Sequence, residues 1–170
     1  MRSAALGIRL HEGPDPEVFV IVGDGSLLMA PAELLTAVQA DLKATVVVID
    51  NAGYGSIDAL AQDSVGVSVG NRFVDGGGHD LWVDIAQLAT AFGCAGVLAE
   101  DATALARALD AARAGTETTV IHCPVADGEI PPSGAFWDLG LPETAADAAV
   151  RARVTAGIER RRASGQRPFV

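Results

Sequence analysis

The chain has 170 residues, of which 49% are apolar and 20% are charged, and its formal net charge is −10. This composition indicates a globular domain with a sizeable core and excludes a disordered acidic chain, which would lack the apolar residues. The negative charge also argues against nucleic acid as a partner, because a net negative protein repels phosphate. Cys94 and Cys123 show no metal-ligand spacing, and no apolar stretch is long enough to span a bilayer. The sequence therefore predicts a cytoplasmic protein with reduced thiols and no membrane partner.

Charge is unevenly distributed along the chain. Residues 151–170 hold six of the twelve basic side chains and one acidic side chain. We interpret this arginine-rich tail as a solvated helix and terminus that pair with an acidic body, because no apolar or aromatic face accompanies the arginines. A membrane or nucleic-acid patch is the alternative interpretation.

Short apolar runs rich in β-branched residues alternate with helical patterns. The continuous runs at 18–22 and 45–49 are typical of strands that are buried on both faces. Shorter strands are predicted at 95–98 and 118–123. The connection between the first two strands is long enough for a parallel pair joined by a helix.

Helices are predicted between and after these strands. The first covers 31–40, with Pro31 in its first turn and Leu34, Leu35 and Val38 at helical spacing. The others are expected at 84–92, from 101 or 103 to about 115, and from about 145 to 162. Residues 52–80 are rich in glycine and predicted to be irregular, with a weak helical tendency at 57–62.

Alternating strands and helices predict an α/β fold, built as a three-layer, mostly parallel sheet with helices on both faces. We expect one domain, with residues 1–123 forming its body and residues 124–170 forming an arm and a terminal helix.

Polar residues follow two consecutive predicted strands. They are Gly23-Asp24-Gly25-Ser26 after the first strand, and Asp50-Asn51, Gly53 and Gly55 after the second. In open parallel sheets, ligands bind beyond the carboxyl ends of the strands. Carboxylate and amide oxygens suit Mg²⁺, which usually shares its ligands with substrate phosphates. A helix expected after Ser26 would point its positive end at the same place.

This pattern resembles the signature of thiamine diphosphate (ThDP) enzymes, which is Gly-Asp-Gly, a gap in the mid-twenties and then Asn-Asn or Asp-Asn. The resemblance implies a ThDP-binding fold in which Asp24, Asn51 and the backbone carbonyl of Gly53 hold Mg²⁺. The cofactor-binding residues that it implies are Gly23, Asp24, Gly25, Ser26, Asn51, Gly53, Tyr54, Gly55 and Ser56.

A narrower resemblance covers most of the chain. Residues 17–26 and 50–57 look like the 3D-(3,5/4)-trihydroxycyclohexane-1,2-dione acylhydrolases, and so do Phe136-Trp137-Asp138 and the final Gln166-Arg167-Pro168-Phe169. This resemblance implies a carbon–carbon bond hydrolase that opens a cyclic 1,2-dione in inositol catabolism. The alternatives are another ThDP enzyme, of the acetolactate synthase or 2-keto acid decarboxylase type, and a non-catalytic subunit that pairs with a separate pyrimidine-domain chain.

The resemblance also implies a longer, oligomeric enzyme in which this chain is the last domain, truncated at its N-terminus. The pyrimidine-binding domain, with the glutamate that activates ThDP, would then be supplied in cis or in trans. We assign no catalytic residue within this chain, and we expect the isolated chain to bind ThDP weakly and to turn over nothing.

Five further side chains outside the motif could carry chemistry. His122 and Cys123 are neighbours on a predicted strand and point to opposite faces, so a joint metal or nucleophile role is not expected for them. His79 is interpreted as a surface residue of the glycine-rich loop at 66–80. Arg72 and Asp75 are candidates for a loop that closes over the site.

Overall fold

The structure is a computed structural model that describes residues 2–13, 17–65, 67–125 and 146–163. The chain divides into two compact units. The first comprises Met1–Tyr54 and Phe73–Asp127, and the second comprises Gly55–Arg72 and Gly128–Val170. Each unit is described below by itself.

The first unit is built on a four-stranded parallel sheet. Its strands are β1 (Phe19–Gly23), β2 (Thr45–Asp50), β3 (Ala95–Leu98) and β4 (Thr119–Pro124). They lie in the order β1-β2-β4-β3, and all neighbouring pairs are parallel. Gly23 pairs with Ile49 and Asp50 pairs with Pro124, so three strands end along the same edge. The predicted parallel α/β sheet is confirmed.

Five helices of the first unit connect or flank these strands. They are α1 (Arg2–Glu12), α2 (Asp24–Leu28), α3 (Glu33–Gln39), α5 (Ile85–Ala91) and α6 (Ala102–Ala114). The carboxylates of Asp84 and Asp101 cap α5 and α6, accepting the N–H groups of Gln87 and Ala104 at 2.9 and 2.7 Å. The second unit contains α4 (Gly55–Val65) and α7 (Ala148–Ala163).

Helices cover both faces of the sheet. On one face Val48 of β2 packs in a cluster with Leu27 of α2 and Ile85 of α5. On the other face Val47 packs with Ile121 of β4, and this cluster includes Ala108 of α6. Because successive side chains of a strand point to opposite faces, this pattern gives the three predicted layers.

The buried face of α3 differs from the prediction. Leu34 and Ala37 are buried, whereas Leu35 and Val38 are 42% and 41% exposed. A spacing of three residues places positions 34 and 37 on one side of the helix, and alanine there allows close packing against the sheet. Pro31 lies in the turn that precedes α3 rather than in its first turn.

Two other helices begin earlier than predicted. Helix α2 begins directly at Asp24 and not after Ser26, so Ser26 lies inside this five-residue helix. Helix α4 is a full helix from Gly55 to Val65 within a region that was predicted to be largely irregular. The glycine at its first position is compatible with a helix start, where glycine is less costly than in the interior.

In the second unit, α4 packs against α7. Val154 of α7 is buried, and α7 accounts for most of the predicted terminal helix. None of the helices in the described ranges combines the length and apolar character needed to cross a bilayer. Residues 126–145, which include Phe136 and Trp137 of the predicted arm, and the final 166–169 segment lie outside the described residues.

Candidate functional site

The ends of β1 and β2 bring a buried carboxylate against a backbone turn. Asp24, the first residue of α2, is 2% exposed. Its Oδ2 accepts the N–H of Gly53 at 2.8 Å. Two of the predicted metal ligands, 29 residues apart in sequence, are therefore in direct contact.

The side-chain amide of Asn51 reaches the same point. With its nitrogen directed there, Asn51 donates hydrogen bonds to Oδ1 of Asp24 at 3.2 Å and to the carbonyl oxygen of Gly53 at 3.0 Å. Rotating the amide would place its oxygen beside these two oxygens instead, and we call the Asp24 carboxylate, the Asn51 amide and the Gly53 carbonyl the oxygen cluster. Mg²⁺ bonds of about 2.1 Å in an octahedron place adjacent oxygens about 3.0 Å apart. The residues present thus fit a small, hard cation.

Burial determines the electrostatics of Asp24. Loss of solvent is the largest effect and raises the pKa of Asp24 above its usual value. The N–H groups of Gly53 and Gly25 lower this pKa, and the nearby carboxylate of Asp50 raises it. A divalent cation would favour the ionised form of Asp24 and offset the repulsion between the two carboxylates.

Asp50 supports the turn that carries Asn51 and Gly53. Its Oδ1 accepts the N–H of Ala52 at 2.8 Å, and its Oδ2 lies 2.6 Å from Nε2 of His122. Ala52 has a φ of 57°, in the left-handed region that alanine rarely adopts. The Asp50 carboxylate thus stabilises an otherwise unfavourable backbone conformation next to the oxygen cluster.

The His122–Asp50 pair was missed by sequence reasoning. His122 is fully buried, and Trp82 stacks on it with ring centroids 4.9 Å apart. The sequence did contain a clue, since Asp50 and His122 are ionisable residues in two otherwise apolar strands and a buried polar group requires a partner. The expectation that His122 and Cys123 act separately agrees with the structure, in which His122 contacts Asp50 and Cys123 packs in the core on the other face.

Gly25 and Tyr54 are packed tightly together. A β carbon on Gly25 would lie 2.6 and 2.8 Å from two ring carbons of Tyr54, closer than such atoms approach. The same Tyr54 ring contacts Phe73 edge-on, with centroids 5.6 Å apart. Among the other predicted cofactor-binding residues, Gly23 ends β1, Ser26 is exposed on α2, and Gly55 and Ser56 begin α4 in the second unit.

The glycine-rich loop has its own local structure. His79 is exposed, as predicted, and its Nδ1 lies 3.2 Å from Asp75. The N–H groups of His79 and Gly77 donate to Asp75, and these bonds with the His79 ring lower the pKa of Asp75. Within the described part of the chain, no three His, Cys, Asp or Glu side chains gather as a metal cluster. The oxygen cluster at Asp24 instead combines a carboxylate, an amide and a carbonyl.

Relatives with known names match most of the chain. The 3D-(3,5/4)-trihydroxycyclohexane-1,2-dione hydrolase of Shouchella clausii is 35% identical over 150 residues, covering 88% of this chain and 23% of the relative. The enzyme of the same name from Halalkalibacterium halodurans is 37% identical over 146 residues, covering 83% of this chain and 22% of the relative. The chain thus spans less than a quarter of the length of these relatives.

Solved structures share the fold. A ThDP-dependent 4-hydroxybenzoylformate decarboxylase from Rhodococcus jostii RHA1 superposes with a TM-score of 0.65 at 24% identity, over 75% of this chain and 23% of the other. A benzoylformate decarboxylase from Polynucleobacter necessarius gives a TM-score of 0.62 at 26% identity, over 74% of this chain and 22% of the other.

The sequence profile described as "Thiamine pyrophosphate enzyme, C-terminal TPP binding domain" matches residues 2–123, which include both strand-end turns. The resemblance inferred from the Gly-Asp-Gly and Asp-Asn motifs is thereby confirmed. This chain belongs to the thiamine pyrophosphate enzyme family, as a member of its C-terminal TPP-binding domain.

Proposed function

We propose that this chain holds ThDP through a Mg²⁺ ion at the carboxyl edge of the sheet. The side chains of Asp24 and Asn51 and the carbonyl of Gly53 would bind the ion. The observation that carries this proposal is the convergence of these three groups, with the Asn51 amide 3.2 Å from Oδ1 of Asp24 and 3.0 Å from the carbonyl oxygen of Gly53. Carboxylate, amide and carbonyl oxygens are the ligands that Mg²⁺ takes in proteins, and rotation of the Asn51 amide would present all three to the ion.

The role of this chain in catalysis is binding and orientation. When bound, ThDP supplies a nucleophilic carbon that adds to a carbonyl group of the substrate. The Asp24–Gly53 contact and the Asp50-supported turn would fix the diphosphate end of the cofactor, with Gly25 and Ser26 along it. The ion would anchor the diphosphate and would not polarise the substrate carbonyl.

We further propose that the complete enzyme hydrolyses a carbon–carbon bond of a cyclic 1,2-dione in inositol catabolism, in the cytoplasm. The support is the shared name of relatives that are 35% and 37% identical over more than four fifths of this chain. The remaining parts of such an enzyme, including the pyrimidine-binding domain and its glutamate, would come in cis or in trans. A homo-oligomer is expected for the complete enzyme.

A 2-keto acid decarboxylase is the second candidate, because the benzoylformate decarboxylase with 26% identity shares the fold. Assaying the reassembled enzyme with the cyclic dione, pyruvate and benzoylformate separates the two candidates. Ring opening without decarboxylation supports the hydrolase. Release of carbon dioxide from either keto acid, with no ring opening, contradicts it.

Calorimetry on the 170-residue chain tests the cofactor site itself. ThDP binding should be weak and should depend on Mg²⁺, and Mg²⁺ binding should likewise depend on ThDP. We expect Asp24→Asn to reduce affinity by more than about 100-fold, because loss of an outer-shell partner already reduces metal affinity by about 10- to 100-fold. Asp110→Asn, the same change at an exposed position of α6, is the matched control and should have no effect.

Two results would contradict the site. One is equal ThDP affinity with and without Mg²⁺. The other is an equal effect of the two substitutions, which would show that charge loss anywhere on the chain is sufficient.

A further inference from the structure

The buried His122 lies one hydrogen bond away from the turn that carries the oxygen cluster. Its Nε2 is 2.6 Å from Oδ2 of Asp50, and the other oxygen of Asp50 accepts the N–H of Ala52. No partner of the His122 Nδ1 atom is found within the described structure. The contact with Asp50 is therefore the polar interaction that accounts for a histidine at this buried position.

We propose that His122 is a positioning residue for the cofactor site: its Nε2–H holds the Asp50 carboxylate, and Asp50 in turn holds the backbone of 51–53. That His122 affects metal affinity rests on the proposed function above. That His122 keeps the backbone of 51–53 ordered does not, because the hydrogen bonds involved are present in the chain without ligands.

Asp50 requires such a donor because of where it lies. Asp50 and Asp24 are both buried and close enough to interact, and like charges in a buried site repel. Without His122, the Asp50 carboxylate would lose the hydrogen bond at Oδ2. If the Asp50 side chain then turned toward water, Ala52 would lose the bond that supports its left-handed conformation, and Asn51 and Gly53 would move with it.

Trp82 fixes the plane of the imidazole. The two rings stack at 4.9 Å with 27° between their planes, and Trp82 is 61% exposed on the solvent side. The indole thus covers His122, and the hydrogen bond to Asp50 forms in a site with little water. Trp82, His122 and Asp50 thus contact one another in turn, and of these three only Asp50 is next to a proposed metal ligand along the chain.

Two substitutions separate the hydrogen bond from the packing. His122→Phe keeps a ring against Trp82 and removes the donor, whereas His122→Gln removes the ring and keeps an N–H donor at a similar reach. The first measurement is amide hydrogen exchange by NMR on the chain without ligands, at Ala52 and Gly53. In the Phe variant, we expect the exchange rate of both amides to rise about tenfold or more over any change at core amides. An increase of this size corresponds to the loss of one hydrogen bond to a charged group.

The Gln variant should restore slow exchange at these amides. Val120→Ala is the matched control, since Val120 is fully buried on the same face of β4 and its truncation should lower overall stability without a selective effect on Ala52 and Gly53. The opposite ranking, with Phe close to wild type and Gln fast, would show that His122 acts by packing alone and would overturn the proposal.

A measurement on the unmodified chain supplements these variants, in case either of them does not fold. Nitrogen-15 NMR of the imidazole should show the hydrogen on Nε2, as donation to Asp50 requires. A neutral ring with its hydrogen on Nδ1 would contradict the proposal.

The consequence for the cofactor site is measured with Mn²⁺ as the probe, in the presence of ThDP. The Phe variant should bind Mn²⁺ about tenfold more weakly, at the lower end of the range for residues that support metal ligands, and the Gln variant should bind near the wild-type level. Altered exchange with unchanged Mn²⁺ affinity would overturn the link to metal binding. Absence of Mn²⁺ binding in the wild-type chain would instead contradict the proposed function, with the exchange result still deciding the role of His122.

Discussion

The two ends of the sheet use buried polar groups for different purposes. At the amino end, the Thr118 hydroxyl donates to the carbonyl of Leu42 and accepts the N–H of Ala44, so it joins two backbone segments. At the carboxyl end, the Asp24 carboxylate, the Asn51 amide and the Gly53 carbonyl converge within 3.2 Å. A hydroxyl that joins backbone groups indicates a structural role, whereas three groups that can each supply an oxygen at a strand end suit a cation.

Backbone conformation shows the same contrast. In the described part of the chain, the non-glycine residues at positive φ are Asp41 at 50°, near the amino end of the sheet, and Ala52 at 57°, near its carboxyl end. Aspartate tolerates this region because its short polar side chain can bond locally, whereas alanine has no such compensation. The turn at Ala52 therefore depends on its surroundings, and Asp50 provides the hydrogen bond.

The largest effect on stability is expected at the amino end. Thr118→Val keeps the shape of the side chain and leaves two backbone groups without their partner, which should lower the free energy of unfolding by about 2–3 kcal/mol. Urea denaturation measures the change, and Thr118→Ser should recover most of it. Mg²⁺-dependent ThDP binding should be unaffected below the unfolding transition. A loss of ThDP binding in Thr118→Val would contradict the assignment of a purely structural role to the amino end of the sheet.

A smaller effect is expected at Ala52. Ala52→Val places a β-branched residue at positive φ and should lower the free energy of unfolding by about 1–2 kcal/mol. Ala52→Asn, which suits this conformation, should be neutral or slightly stabilising. The two variants are compared by urea denaturation of the metal-free chain. Equal stabilities would show that this backbone conformation is not maintained in solution.

The smallest effect concerns pH. Since burial raises the pKa of Asp24, the folded metal-free chain binds this proton more tightly than the unfolded chain does. The contribution of Asp24 to stability is thus greatest at low pH and is lost as the pH rises through the raised pKa. Because asparagine does not ionise, Asp24→Asn should abolish this fall in stability with pH and should stabilise the metal-free chain at neutral pH. Denaturation at a series of pH values measures the change. Asp110→Asn should keep the wild-type profile, and a destabilised Asp24→Asn chain would contradict the stated sign.

Much of the fold could be predicted because the signals are local. The uninterrupted runs at 18–22 and 45–49 predicted β1 and β2, and the helices expected from 84 and from 101 or 103 begin directly after the capping residues Asp84 and Asp101. The buried side of α3 was less predictable, because Leu34 and Ala37 were selected by the surface that they meet and not by hydrophobicity alone.

The site was predictable only in part. The two motifs are short, and parallel pairing of β1 and β2 brings them to one edge without further information. Asp50 and His122 are 72 residues apart in sequence, and they meet because β2 pairs with β4 through the intervening crossovers. No local pattern encodes that distance, although a charged residue in an apolar strand does indicate that some partner exists.

The contact between Gly25 and Tyr54 limits how this site could be re-engineered. Since the tyrosine ring fills the space that a side chain at position 25 would need, the two positions share one volume. A library that randomises position 25 alone should return glycine, whereas joint randomisation should recover pairs in which a small residue at 54 accompanies alanine or serine at 25. The two strand-end turns are therefore one unit for directed evolution.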